Sequence, residues 1–310
     1  MILYAHCPVL LKESIDLLNI KENGIYVDGT LGGGGHSREI LNRLNGTGKL
    51  IAFDQDETAI LNSKEQFGDL KNMILIHDNF SNLKLRLDDL KINEVDGIIL
   101  DIGLSSMQID DPKRGFSYMH DANLDMRMDL SSSFSGFNVV NEYSKEDLER
   151  IIFEYGEDRF AKNIAKNICE YRKSKQIETT FELVDIIKRS IPLKYHRFGH
   201  PAKRTFQSIR IEVNKELNAL EKVIDDSIPL MSIGGRLSII TFHSLEDRVV
   251  KLKFKDLAKG CICPKDFPIC VCNNKPKIKI LTNKPIVPSD EEIKLNSRSA
   301  SAKLRVCEKL

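Results

Sequence analysis

The chain has 310 residues, 41% hydrophobic and 29% charged, which suits a large domain carrying a second, smaller one and excludes wholesale disorder. Lysine plus arginine (46) balances aspartate plus glutamate (45), so no global basic field advertises nucleic acid and any such binding needs a local patch. No run approaches the roughly 20 apolar residues of a membrane span, no signal-peptide pattern opens the chain, and the seven cysteines are an odd number that argues for reduced thiols in the cytoplasm.

Residues 24–28, 49–54, 73–77 and 95–101 read as four strands, each ending in or beside a polar residue, with crossover helices at 37–44 and 57–67. That alternation builds a parallel sheet with ligands at the strand ends. After residue 111 the rhythm gives way to helices: one starting at Ser144 and stopping at Gly156, one over 158–173, and one over 181–190 before Pro192. A long amphipathic helix is expected over 204–227, a fifth strand over 234–242 after a glycine turn, a helix from 245 to 259, and late strands at 277–286 and 302–309. The expected fold class is α/β, with a discontinuous Rossmann-like domain (1–110 and 202–310) interrupted by an all-helical substrate-recognition domain (111–201).

The first strand runs into Asp28-Gly29-Thr30-Leu31-Gly32-Gly33-Gly34-Gly35-His36-Ser37, where a helix begins. Consecutive glycines let the backbone approach a ligand closely and expose amides at a helix N-terminus. Asp54 closes the second strand 26 residues after Asp28, where a carboxylate accepts hydrogen bonds from both hydroxyls of a ribose. Dinucleotide-binding and methyltransferase folds share that arrangement, and Asp28 separates them. A carboxylate at the mouth of the first strand repels a pyrophosphate and suits the ammonium and sulfonium charges of S-adenosylmethionine; the spacing is neither G-x-G-x-x-G nor that of a P-loop. After the third strand, Asp78-Asn79-Phe80 offers a polar edge and a ring for an adenine, although an aromatic there is ordinarily core.

Asp101-Ile102-Gly103-Leu104-Ser105-Ser106-Met107-Gln108 follows the fourth strand, where amino-directed methyltransferases hold the target nitrogen. An exocyclic cytosine amine is a poor nucleophile because its lone pair is delocalised into the ring. Acceptors that orient its N–H groups and a site that excludes water help it react. Asp101, a backbone carbonyl and Ser105 are the right groups for that work. Methylation at cytosine C5 needs a cysteine nucleophile in this loop, and the loop has none.

These segments, with His6-Cys7-Pro8-Val9-Leu10-Leu11, the run Asp110-Asp111-Pro112-Lys113-Arg114-Gly115-Phe116-Ser117, Leu124-Asp125-Met126-Arg127-Met128-Asp129, the run from Arg204-Thr205-Phe206 to Asn214, and Phe242-His243-Ser244-Leu245-Glu246-Asp247-Arg248, closely resemble the RsmH (MraW) family of 16S rRNA cytosine-N4 methyltransferases. The likeness spans nearly the whole chain in order. It implies a class I S-adenosylmethionine-dependent methyltransferase fold with an inserted helical domain, and methylation of the N4 amino group of a cytidine in the decoding (P-site) region of 16S ribosomal RNA. By matching motif it places cofactor contacts on Gly34, Gly35, His36, Asp54, Phe80, Asp101 and Gln108; the residues alone point to Asp54, Phe80 and Asp101 but not to His36 or Gln108. The implied partner is 16S rRNA within the small ribosomal subunit, with no membrane and with a homodimer left open. Competing readings are an amino-methyltransferase acting on another RNA or on DNA, a non-catalytic ribosome-assembly factor, and a nicotinamide oxidoreductase.

Other signals are less directed. Leu124 to Asp129 reads either as a functional loop or as an Asp125–Arg127 ion pair pinning the insertion. After the fifth strand, His243 stands near the ligand edge, beside a Ser244 that suits a helix cap. His6 reads as a packed terminal residue. Cys261-x-Cys263 and Cys270-x-Cys272 suit tetrahedral zinc in number, but C-x-C is a less usual spacing and similar cysteines are not shared by all family members, so the loop is taken as reduced and no metal is assigned. From Lys188 to Arg210 nine basic or histidine residues, among them Lys194, Arg197, Lys203 and Arg204, occur with no aspartate or glutamate between them. Tyr195, Phe198 and Phe206 are interleaved, so this segment is the expected RNA contact.

Overall fold

The computed structural model describes residues 8–263 and 272–310; His6, Cys7, Cys270 and the side chain of Phe198 lie outside the description. In chain order come α1 (Leu11–Leu18), β1 (Ile25–Asp28), α2 (Gly35–Arg43), β2 (Lys49–Asp54), α3 (Glu57–Phe67), β3 (Met73–His77), α4 (Leu83–Asp89) and β4 (Val95–Asp101). Six helices follow: α5 (Ser106–Asp110), α6 (Gly136–Glu142), α7 (Lys145–Glu154), α8 (Ala161–Tyr171), α9 (Thr180–Ser190) and α10 (Lys203–Asn214). The chain ends with α11 (Glu216–Leu230), β5 (Met231–Thr241), α12 (Ser244–Leu257), β6 (Ile278–Ile280), α13 (Asp290–Leu295) and β7 (Lys303–Lys309). None of the described helices is long and apolar enough to cross a membrane.

Two compact units result, one from residues 1–103 and 217–310 and the other from 104–216. The expected boundaries at 110/111 and 201/202 thus move to 103/104 and 216/217. The second shift has a packing cause, because Phe206 and Ile209 of α10 are buried in the same cluster as Ile151 of α7, Ile164 of α8 and Leu183 of α9.

The described strands of the first unit form one sheet of order β3-β2-β1-β4-β5-β7-β6. β1 to β5 run parallel, and β7 is antiparallel to both β5 and β6. The central strands are buried on both faces, which is why 49–54 and 95–101 read as nearly unbroken apolar runs. On one face Ile15 and Leu18 of α1 and Ile40 of α2 pack on Tyr26, Leu50 and Ile99. On the other, Leu83 and Leu87 of α4, Leu220 and Val223 of α11, and Val250 and Phe254 of α12 cover Val27, Ile51, Phe53 and Leu100. A sheet covered on both faces leaves its carboxyl edge as the opening for a ligand.

Two expectations change. The single helix over 204–227 is two, because Lys215 takes a left-handed conformation (φ 49°) that ends α10. The fifth strand begins at Met231, not after a glycine turn: Gly234 (φ 79°) lies within β5, where the pairing with β4 shifts register between Val95 and Gly97.

In the second unit, Ser144 caps α7 by accepting from the Asp147 amide at 3.0 Å, and Thr179 and Glu182 form a capping box on α9. The loop at 125–128 is pinned from several sides. Arg127 donates to both carboxylate oxygens of Asp125 at 2.8 and 2.7 Å. Asn214 accepts from the Met128 amide at 2.7 Å and donates to the Met126 carbonyl at 2.8 Å. Of the two readings for this loop, the structure has the internal ion pair.

Candidate active site

Asp28, Asp54 and Asp101 end β1, β2 and β4, so neighbouring parallel strands deliver three carboxylates to one edge of the sheet. The loop after β1 is tied to both flanking strands, Gly29 N–H donating to the Ile99 carbonyl at 2.9 Å and Leu31 N–H to that of Phe53 at 2.8 Å. Gly29 admits no side chain: a Cβ would lie 2.3 Å from Leu100 Cδ2. Gly34 caps α2 at φ 75°, and a Cβ there would meet the Phe67 ring at 2.7 Å; at Gly35 one would meet Pro8 Cγ at 2.0 Å. A Cβ at Gly33, by contrast, would meet none of the described residues within 4 Å. The loop is packed hard at Gly29, Gly34 and Gly35 and leaves room at Gly33, a form that suits a cradle for a small ligand.

Each carboxylate has a different environment. Asp28 is 1% exposed and accepts from the Thr30 amide at 3.0 Å and the Ser37 hydroxyl at 2.7 Å. It therefore braces the cradle, while burial raises its pKa against the hydrogen bonds from Ser37 and Thr30. Asp54 accepts from the amides of Gly32 and Asp56, both at 2.8 Å. Burial outweighs those bonds and raises its pKa to about 6. A carboxylate has about four lone-pair sites, so two remain for ligand hydroxyls.

Asp101 differs from both. Its backbone amide donates to Thr30 Oγ1 at 2.6 Å, yet side-chain Oδ1 is buried without a hydrogen-bond partner. Desolvation, then the charges of Asp28 and Glu246, push its pKa up to about 8. His36 Nδ1 lies 3.8 Å from Asp101 Oδ2, and its Nε2 lies 3.2 Å from the Val9 carbonyl. Only a protonated Nε2 can bond a carbonyl, and burial lowers the His36 pKa; the imidazole is neutral, with its Nδ1 lone pair toward Asp101.

Phe80 is half-buried and packs against the apolar cluster under α4 and α11, with its Cβ close to Gly29. Its neighbours are engaged locally: Asp78 accepts from Asn82 at 2.8 Å and Arg86 at 2.6 Å, and Asn79 caps the next turn through Ser81 N–H while donating to Gln55. Adenine recognition by the Asp78 carboxylate is thus displaced by its pairing with Arg86. Ser105 and Gln108 form a capping box on α5, Ser105 Oγ accepting from Gln108 N–H at 3.2 Å and Gln108 Oε1 from Ser105 N–H at 3.1 Å. The cap on α12 is His243, not Ser244: His243 Nδ1 accepts from Glu246 N–H at 3.4 Å, and Glu246 Oε2 takes the amides of Phe242 and His243.

Sequence reasoning missed Thr30, Ser37 and Glu246. Thr30 and Ser37 stand inside the glycine loop but act on Asp101 and Asp28. In the sequence Glu246 stands out only as part of the 242–248 run.

On the helical unit, Lys194, Arg197, Lys203 and Arg204 are all exposed. Arg204 donates to the Glu157 carbonyl at 2.5 Å. Others in the basic run have internal tasks: Arg210 forms a two-point pair with Glu216 at 2.8 and 2.9 Å, and His200 stacks on Tyr118 at 4.5 Å. Tyr195 packs against Phe160 under Arg159, and Phe206 is core, so neither is a stacking platform.

Antiparallel β7 inserted between β5 and β6 departs from the dinucleotide-binding order 3-2-1-4-5-6. With a glycine cradle after β1 and carboxylates ending β2 and β4, it defines a class I methyltransferase. The model of the MraW methylase family matches residues 3–310. Ribosomal RNA small subunit methyltransferase H of Clostridium botulinum (strain Loch Maree / Type A3) is 60% identical over 307 residues, 99% of each chain. The protein of that name from Finegoldia magna is 57% identical over 312 residues, again covering 99% of each. The chain belongs to the MraW methylase family. A methylase of this fold takes its methyl group from S-adenosylmethionine.

The Asp54 carboxylate must be ionised to accept from two hydroxyls, so cofactor affinity is expected to rise as pH is raised through about 6. Asp54→Asn should flatten that dependence, and Asp54→Ala should weaken binding by about 1.5–3 kcal/mol, the cost of losing hydrogen bonds to a charged acceptor. Calorimetry across that range checks both, and a folded alanine variant with unchanged affinity removes Asp54 from the site.

Proposed function

We propose that the chain transfers a methyl group from S-adenosylmethionine to the N4 amino group of a cytidine in the decoding (P-site) region of 16S ribosomal RNA. The observation that carries this reading is the unpartnered Oδ1 of Asp101, a buried acceptor that needs an N–H donor, beside the cradle. Relatives named as small-subunit rRNA methyltransferases along their whole length support ribosomal RNA as the substrate. The absence of cysteine from 101–108 favours an amine over cytosine C5.

In this reading S-adenosylmethionine supplies an electrophilic methyl group. Amides at the Gly34 and Gly35 end of α2 and the carboxylate of Asp28 hold its amino-acid end, Asp54 its ribose and Phe80 its adenine. His36 and Gln108 join the cofactor set on the strength of the matching motifs. Asp101 accepts an N–H of the target amine, aligns its lone pair and takes the proton that leaves. Ser105 acts through the turn it caps, fixing the backbone that follows Asp101. Lys194, Arg197, Lys203 and Arg204 hold phosphates.

Mapping the methylated nucleotide in ribosomal RNA from cells with and without the protein tests the assignment. Loss of one N4-methyl mark on a small-subunit cytidine is expected, and an unchanged small-subunit methylation pattern overturns it. Transfer to duplex DNA in place of small subunits would give the competing substrate class.

Asp101 is a strong acceptor, and can take a proton, only when ionised. A cationic ligand lowers its pKa from about 8, so with cofactor saturating the single-turnover rate should climb with pH along a limb centred at or below that value. Asp101→Asn keeps an acceptor oxygen without a titrating group and should be slower, with the limb gone. The same limb in the variant would sink the role.

Replacing Lys194, Arg197 and Lys203 together by glutamine should leave cofactor affinity unchanged, weaken RNA binding and reduce its salt slope by up to about three phosphate contacts. Binding isotherms at several salt concentrations read this directly. Wild-type affinity and slope would make the segment an ordinary solvated surface.

A further inference from the structure

Methyl transfer leaves one side-chain cluster unused. Cys261, Cys263 and Cys272 follow α12 and present Sγ atoms that all lie within 4.8 Å of one another. The Cys261 and Cys272 sulfurs are 3.7 Å apart. A disulfide requires about 2.05 Å. Two thiolates bound at about 2.3 Å to one tetrahedral zinc ion stand about 3.8 Å apart, the edge of the coordination tetrahedron. The spacing therefore matches shared coordination.

A second observation does not depend on the spacing between the sulfurs. Two backbone amides point at the Cys272 sulfur, from Ile262 at 3.3 Å and from Asn274 at 3.5 Å. A neutral thiol is a weak acceptor and has little use for two donors, whereas a thiolate bound to a cation is oriented and partly neutralised by such contacts. The Asn274 carboxamide donates to the carbonyls of Lys259 and Gly260 at 3.0 and 2.7 Å, fastening the two sides of the loop together below the sulfurs. Cys261 is exposed, and Cys263 and Cys272 are half-buried, so an ion has access.

We propose that Cys261, Cys263 and Cys272 form a structural zinc site that closes the excursion between α12 and β6. The three thiolates occupy three corners of a tetrahedron and leave the fourth to another donor. The Cys-x-Cys spacing that argued against a metal in the sequence is accommodated because Cys272 returns to face the Cys261–Cys263 pair. The ion ties Cys272 to the Cys261–Cys263 turn that follows α12, and it takes no part in methyl transfer.

Protein purified with zinc available and without chelator should carry about one zinc per chain by elemental analysis. Cobalt(II) in its place should give the thiolate-to-metal charge-transfer band of tetrahedral sulfur coordination. Joint Cys261→Ser and Cys272→Ser substitution should abolish both signals, while Cys169→Ser, on α8, should keep them. If the double variant does not fold, thiol labelling of the wild-type protein decides: zinc should shield these three cysteines from alkylation and a chelator should expose them. Zinc-free protein with no cobalt charge-transfer band, equal alkylation with and without zinc, or a native Cys261–Cys272 disulfide each overturns the site.

Discussion

Removing carboxylates from water at the edge of the parallel sheet is the constraint on which the active-site geometry depends. An isolated carboxylate buried in protein pays several kcal/mol of lost hydration, so it survives only with hydrogen-bond donors or a cation. Asp28 meets the requirement with Ser37 and the Thr30 amide, and Asp54 with two amides of neighbouring turns. These bonds fix the path of the glycine loop from two sides. Asp101 has no equivalent donor at Oδ1, so burial leaves it largely protonated at neutral pH until a positive charge arrives.

Such an arrangement works only on a rigid frame. Close approaches at Gly29, Gly34 and Gly35 mean that the cradle cannot relax backward, because strand side chains, the Phe67 ring and Pro8 already fill the space behind it. The sheet resists in turn, since its central strands are packed between helices on both faces. The helical unit uses different means to the same end: the bidentate Asp125–Arg127 pair and the Asn214 carboxamide hold a loop that has no regular structure.

Legibility in the sequence followed how local each cause was. Strands 49–54, 73–77 and 95–101 and the helix 57–67 could be bounded to the residue, because strand ends coincide with polar residues and Asp56 caps α3 through its own neighbour Thr58. The break at Lys215 could not be seen, since neither glycine nor proline marks it. α1 has helical spacing at Leu11, Ile15 and Leu18 but is preceded by Leu10 with no side-chain cap, so no capping residue marks it in the sequence. At the site, Asp28, Asp54 and Asp101 announced themselves by standing at strand ends. His36 did not, because its place depends on a carbonyl 27 residues away and a carboxylate farther still, and only the family resemblance pointed to it. Tyr195 and Phe206 looked available for bases because sequence shows aromatic character but not what already covers a ring.

The same electrostatics suggest why the unpartnered carboxylate suits a reaction that must also dispose of a proton. Without a cation nearby, burial beside Asp28 and Glu246 keeps Asp101 largely protonated at neutral pH. A positive ligand in the cradle favours the ionised form, the acceptor an amine requires. When that positive charge is spent, the surroundings of Asp101 revert to an excess of negative charge and its proton affinity rises again. In the proposed reaction, a group so placed becomes a stronger base at the point where the methylated amine must shed a proton. His36 reinforces the cycle: its Nδ1 lone pair, held toward Asp101 by the Nε2 bond to Val9, is better matched to a protonated carboxyl than to a carboxylate. The geometry thus couples the proton on Asp101 to the charge of whatever occupies the cradle.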